Sequence, residues 1–254
     1  MRPSSTPLAP TGERTAPGLE HEGYWFARHE AAYAWIAGAL DLAGAVVVDA
    51  GSGEGYGARM LAPGARACLA VEYDAAACLH AATAYPQIAS VRANLAALPL
   101  RDAIADVLVS LQVVEHLWSL PEFLAQCRRA LRPGGVLVIT TPNRLTFSPG
   151  LARGEKPLNP FHVEEFDADQ VRSMLVDAGF ADVDVLGLHH GTRIRDWEAR
   201  HGSLVQAQVD AVLSGAWPAH GDDMVESVTA DDFGIAHDGV DASCDLVGIA
   251  RAAS

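Results

Sequence analysis

The chain has 254 residues, is 50% hydrophobic by composition and holds five tryptophans, which suffices for one sizeable core and excludes a disordered protein. Its 18 Lys and Arg stand against 32 Asp and Glu, a formal charge of −14, so it lacks the cationic excess that supplies phosphate-backbone affinity. Nucleic acid is therefore a poor candidate substrate. The four cysteines, Cys68, Cys78, Cys127 and Cys244, form no C-x-x-C pair, and the expectation is buried thiols in a reducing cytoplasm. No run of about 18 apolar residues and no secretory leader is apparent, so no membrane association is expected.

Residues 1–18, rich in Pro, Ser and Thr, read as a disordered arm, and 19–254 as a single domain. A helix is expected over 27–40, with Tyr33, Ile36, Ala37 and Leu40 on one face. Strand signals recur at 45–49, 68–72, 88–92, 105–110 and 135–140, separated by helical segments, which is the alternation of right-handed βαβ units. Ser119 and Glu122 read as a capping box, and Pro133-Gly134-Gly135 as the stop of that helix. Asp167 and Gln170 can cap the next helix, in which Val171, Met174, Leu175 and Ala178 recur at helical spacing up to Gly179. Residues 181–189 and 244–251 look like two closing strands. The fold class is α/β, a doubly wound, mostly parallel seven-stranded sheet with helices on both faces. Two irregular stretches remain. Residues 143–161, punctuated by Pro149, Gly150, Gly154, Pro157 and Pro160, read as a lid. Residues 191–243 read as a substrate-facing insertion with a helix near 196–213 and acids at Asp222, Asp223, Glu226, Asp231 and Asp232, better explained as a solvated face than as a metal site.

The most informative stretch is Val46-Val47-Val48-Asp49-Ala50-Gly51-Ser52-Gly53-Glu54-Gly55. Its valines suit a strand buried on both faces, and its glycines allow a sharp turn with a ligand close to the backbone. A dinucleotide fingerprint needs its third glycine where this chain has Tyr56, so the nicotinamide reading is weakened. The pattern D-x-G-x-G-x-G resembles motif I of the class I S-adenosylmethionine-dependent methyltransferases. The resemblance extends in ordered motifs over residues 24–180. Glu72 ends an apolar strand about 20 residues past the glycines, where a carboxylate can accept both ribose hydroxyls, and Tyr73 follows it. Asn94 and Leu95 match the adenine-contacting pair, with Asn in place of the usual Asp. The resemblance thus implies S-adenosyl-L-methionine held by Tyr24, Asp49, Gly51, Ser52, Gly53, Glu72, Tyr73, Asn94, Leu95 and Gln112.

In an open doubly wound sheet, ligands bind beyond the carboxyl ends of the strands. After the fourth strand comes Leu111-Gln112-Val113-Val114-Glu115-His116, and after the lid comes Asn159-Pro160-Phe161-His162. The first segment resembles the E-x-x-E-H motif with which some methyltransferases hold a divalent metal, including ubiquinone-pathway O-methyltransferases and small-RNA 2′-O-methyltransferases. Residue by residue this implies Glu115, His116 and His162 as ligands, with Mg²⁺ as the candidate ion; Gln112 stands where the first Glu belongs. An alcohol acceptor also needs something to take its proton, and His162 and His116 are the catalytic candidates. Simpler roles stay open for all three: Glu115 at a helix N-terminus, His116 as a satisfied core histidine, His162 as a pin for the lid. His80 is expected on a surface helix face, and His189 and His190 at a strand end.

Upstream, Glu20-His21-Glu22-Gly23-Tyr24-Trp25-Phe26-Ala27-Arg28-His29-Glu30 is dense in aromatic and ionisable groups. Tyr24 can contact the methyl donor and Arg28 can pair an acid, or both can be packing residues. This segment is similar to an actinobacterial subgroup that includes a sugar 1-O-methyltransferase of methylmannose polysaccharide assembly. The implied activity is O-methylation of a small molecule or saccharide. Its rivals are C- or N-methylation of a quinone or other metabolite, and a methyltransferase fold without catalysis. The expected partner is the acceptor alone, with no nucleic acid or membrane, and a homodimer is left open.

Overall fold

Three consecutive valines, Val46, Val47 and Val48, show why the sheet is covered on both sides. Period-two alternation sends Val47 to one face and Val48 to the other, and both are fully buried. The computed structural model describes residues 15, 17, 18, 21–157, 159–214 and 219–253. Of the expected N-terminal arm, only Thr15, Pro17 and Gly18 fall among them; the rest of 1–18 lies outside the described residues.

In chain order the elements are α1 (Gly23–Ala39), β1 (Val46–Ala50), α2 (Tyr56–Leu61), β2 (Ala67–Glu72), α3 (Ala75–Ala84), β3 (Ala89–Arg92), β4 (Ala105–Leu111), α4 (Leu120–Ala130), β5 (Leu131–Pro142), α5 (Arg144–Phe147), α6 (Ala168–Asp177), β6 (Phe180–His190), α7 (Thr192–His201), α8 (Leu204–Ser214), α9 (Ala219–Ser227), β7 (Phe233–Ala236) and β8 (Asp245–Ala252). One eight-stranded sheet has the order β3-β2-β1-β4-β5-β8-β6-β7. The strands β1 to β5 pair in parallel, whereas β8 is antiparallel to both β5 and β6. The carboxyl ends of β1 to β6 thus share one edge, and the chain order reverses between β1 and β4.

The sheet has eight strands rather than the expected seven. The added β7 lies inside the 191–243 stretch and pairs antiparallel with the end of β6, Leu188 opposite Ile235 and His190 opposite Phe233. Its four residues alternate between half-buried and exposed, a run too short to stand out in the sequence. The same stretch does not hold one helix over 196–213: Gly202, at φ +86°, breaks it into α7 and α8. The apolar residues Ile194, Leu204, Met224, Val225 and Val228 of this stretch pack on Tyr24 and Ala27 of α1 in a small core of their own. Among the described residues no helix is long and apolar enough to cross a membrane. All four cysteines are free thiols, and Cys68, Cys127 and Cys244 are buried.

Local signals fared unevenly. Asp167 and Gln170 form the expected reciprocal cap of α6. Ser119 stands at the cap position of α4, but its side chain makes no capping bond. Pro133-Gly134-Gly135 stop α4 less directly than expected, forming a bulge within β5 where the register jumps from Ala105–Leu131 to Val107–Val136. Helix α1 starts four residues before the expected position, and that added turn carries Tyr24.

Helix α2 approaches α1 so closely that a Cβ on Gly57 would lie 2.0 Å from the Tyr33 ring. Gly57→Ala is expected to destabilise the fold by about 1–3 kcal/mol through forced displacement of that ring. Urea unfolding measures this, and wild-type stability would show that Tyr33 yields freely.

Candidate active site

The turn after β1 is built from backbone. Gly51, Gly53 and Gly55 have φ of +84°, +52° and +87°, values that glycine alone adopts without strain. The Gly51 and Ser52 amides donate to the Val71 carbonyl at 2.8 and 3.1 Å, binding the turn to β2. At the end of β2, Glu72 accepts from Gly53 N through Oε2 and from Asp74 N through Oε1, both at 2.8 Å. Its two oxygens are thereby oriented, and each keeps a lone pair for a further donor.

A cavity of about 280 Å³ opens over this turn. Of the expected donor-binding residues, Gly51, Ser52, Gly53, Glu72, Tyr73, Leu95 and Gln112 line it. Asp49 does not. It is buried beneath the turn, where the Tyr33 hydroxyl lies 3.2 Å from both its oxygens, and burial pushes its carboxyl up to about 7. Its role is to hold the turn against α1. Asn94 likewise lies outside the lining; its Oδ1 accepts from Ala96 N at 2.9 Å and caps a short 3-10 turn.

Tyr24 is also withdrawn from the cavity. It is fully buried, with its hydroxyl 2.7 Å from His190 Nε2, while His190 Nδ1 meets Glu198 Oε2 at 2.9 Å. Burial lowers the proton affinity of His190, but bonding to Cys244 and Glu198 more than offsets this and raises it to about 9. His189 and His190 end β6 and line a separate cavity of about 440 Å³ beside β7. His80, expected on an exposed face, turns toward Glu54 with its Nε2 3.8 Å from the carboxylate.

Gln112 lines the cavity with both ends of its amide engaged. Its Oε1 accepts from Arg28 Nη2 at 3.3 Å and its Nε2 donates to Thr140 Oγ1 at 3.2 Å. Arg28 in turn pairs with Asp245, Nε to Oδ2 at 3.2 Å, both buried. Sequence reasoning allowed Arg28 an acidic partner but had no signal for Asp245 at the start of β8.

Glu115, His116 and His162 do meet, each offering a ligand atom within 4.8 Å of the others. The imidazole rings of His116 and His162 are 5.0 Å apart. His116 Nδ1 lies 3.1 Å from the Phe161 carbonyl, and His162 Nδ1 lies 2.8 Å from Glu165 Oε1. Glu165 was not foreseen; burial raises its proton affinity, and bonds from His162 and Ser148 outweigh this, leaving it below the ordinary range. Glu115 is buried with Oε2 unpartnered, and burial pushes its carboxyl up to about 7. Such a carboxyl regains charge when a cation or a protonated imidazole comes beside it.

Residues 48–139 match the model of a methyltransferase domain. A protein of Mycobacterium tuberculosis described as a "probable S-adenosylmethionine-dependent methyltransferase" is 46% identical over 98% of this chain and 93% of its own. A relative from Mycolicibacterium smegmatis, similarly described, is 46% identical over 98% of this chain and 96% of its own. The chain belongs to the S-adenosylmethionine-dependent methyltransferases. Its fold is shared with a crystal structure from Thermotoga maritima described as a methyltransferase and possible histamine N-methyltransferase, at TM-score 0.61 and 16% identity over 90% of this chain and 92% of that one. The methyltransferase carries its glycine turn and Glu72 in the matched region, and the orphaned, buried hydroxyls of Thr15 and Ser52 in the same cavity suit a polar ligand there.

The Asp49 carboxyl favours its neutral form in the folded methyltransferase. Its contribution to stability is complete below the ordinary value of 3.8 and is lost as pH rises to about 7. Asp49→Asn should therefore flatten the fall in unfolding free energy between about pH 4 and about pH 7. Urea denaturation of the donor-free protein at the two pH values tests this, and equal slopes for variant and wild type would refute it.

Proposed function

We propose that this methyltransferase transfers a methyl group to a hydroxyl of a small molecule, a saccharide, with a divalent cation held by Glu115, His116 and His162. The observation that carries the proposal is the convergence of those three side chains beside the donor cavity, which His116 itself lines. An alcohol is almost wholly protonated at neutral pH (pKa about 15.7 for water), so a hydroxyl acceptor requires acidification or a base. A free amine already carries the attacking lone pair and needs no cation to acidify it.

The donor set fits a cation. Each histidine has its Nδ1 beside an oxygen, the Phe161 carbonyl or the Glu165 carboxylate, an arrangement that orients Nε2 as the ligand atom. Glu115 supplies a buried, unpartnered oxygen. Two imidazoles and one carboxylate suit Mn²⁺ better than the oxygen-preferring Mg²⁺, so both belong in the test. A cation bound there would acidify a coordinated hydroxyl. The same residues serve a metal-free path: with Glu165 holding the proton of Nδ1, His162 Nε2 can accept the acceptor's proton, displacing the Asn159 amide that lies 3.1 Å from it. The sulfonium of the donor supplies a methyl group that is already activated, leaving alignment as the protein's main remaining task.

S-adenosylhomocysteine release should be seen with mannosides or other sugars rather than with quinone precursors or amines. Chelation should abolish it, and Mg²⁺ or Mn²⁺ should restore it. Turnover of a quinone carbon or an amine, indifferent to chelator, would overturn the proposal. His162→Ala should lower turnover by about 10²–10⁴-fold while donor affinity measured by calorimetry stays at the wild-type value. Unaltered turnover would return His162 to a purely structural part.

A further inference from the structure

Thr15 precedes α1 and lies far outside the region matched by the methyltransferase-domain model, yet it lines the donor cavity and is only 6% exposed. Its hydroxyl is buried without a hydrogen-bond partner. The hydroxyl of Ser52, contributed to the same cavity by the glycine turn, is in the same condition. An unmet buried hydroxyl is costly, and two in one cavity mark a place that a ligand completes.

The two ends of the methyl donor make different demands. Glu72, Tyr73 and Leu95 provide for ribose and adenine at one end of the lining. The methionine end carries a carboxylate, and among the described residues lining the cavity there is no Lys or Arg. Arg28 lies outside that lining, facing Asp245 and Gln112, although its Nη1 is buried without a partner. Within the lining itself, hydroxyls are the candidate donors for that carboxylate. The Tyr33 hydroxyl is given to Asp49, and the Tyr56 hydroxyl is paired with His29 Nδ1 at 3.2 Å. Of the buried hydroxyls in the lining, those of Thr15 and Ser52 remain.

We propose that Thr15 is a donor-binding residue, its hydroxyl joining that of Ser52 in hydrogen bonds to the methionine carboxylate of S-adenosylmethionine. This rests on the reading that the cavity over the glycine turn holds the donor. It assigns a binding role to a segment that composition marks as a disordered arm.

Isothermal calorimetry with two ligands separates the possibilities. S-adenosylhomocysteine carries the amino-acid end; 5′-methylthioadenosine lacks it. Thr15→Val, which keeps the shape and removes the hydroxyl, should weaken S-adenosylhomocysteine by about tenfold, the scale of one hydrogen bond to a charged group, and leave 5′-methylthioadenosine unchanged. Thr15→Ser should bind both ligands as wild type does. Equal weakening of both ligands, or of neither, by Thr15→Val would overturn the proposal. Glu72→Ala should weaken both ligands alike, because it acts on the shared ribose; wild-type affinity for both in that variant would overturn the placement of the donor itself.

Discussion

A guanidinium buried at the carboxyl edge of the sheet governs the reacting face. Arg28 and Asp245 are 4% and 2% exposed, and neither charge is tenable there without the other. Burial lowers the proton affinity of Arg28, but the Asp245 carboxylate more than restores it; burial raises that of Asp245, and the Arg28 charge opposes the rise. The rings of Trp25 and Phe147 lie 4.8 and 5.0 Å from the guanidinium carbon and replace water on its faces. The pair joins α1 to β8 and, through Gln112, to the end of β4. Gln112 has φ +55°, a conformation that costs a non-glycine residue of the order of 1 kcal/mol or more. Its bonds to Arg28 and Thr140 hold that turn. The turn in turn directs residues 113–116 toward the cavity over the glycine turn, so the positions of Glu115 and His116 depend on that ion pair.

His162 is brought to them by a segment secured at both ends. At its start, Asn143 donates through Nδ2 to the carbonyls of Val240, Asp241 and Ser243, and Arg144 is paired with Asp167. At its end, the Glu115 carbonyl accepts from Val163 N at 2.7 Å and from Glu164 N at 3.3 Å. Closing a loop whose ends are already fixed costs little additional entropy, so an irregular run can still place one imidazole against another. The ends of the 143–161 stretch belong to the framework, and its middle is exposed.

What could be read from the sequence was what is local. The glycine turn, Glu72 nineteen positions after Gly53 and the strand-helix alternation each declare themselves within a short window, and a known family ties them together. Glu115, His116 and His162 were legible only through a family's metal motif, since 46 positions separate the last two. Asp245, Glu165 and Thr15 had no such signal. An aspartate 217 positions from its arginine looks like any other acid, and a threonine among prolines and serines looks like a linker. Tyr24, Asp49 and Asn94 were placed in the site because family motifs include them; here Asp49 and Asn94 shape the turns that form the cavity, and Tyr24 binds the insertion. β7 escaped notice because a strand of four residues in an edge pairing carries too little periodicity to register.

Helix α1 explains how the insertion relates to the site. Tyr24 and Arg28 are four residues apart and so share a face; one reaches His190 and Glu198, the other Gln112 and Asp245. The helix is held by Ile194, Leu204, Met224, Val225 and Val228 of the insertion at its first turns, and by the sheet core through Ala32, Tyr33 and Ile36 at its later ones. A packed helix transmits displacement as a body rather than bending, because close-packed interiors resist compression. Any displacement of the insertion therefore acts on Gln112 through the seating of α1. The insertion is thereby one of the two supports of the helix on which the carboxyl edge of the sheet rests.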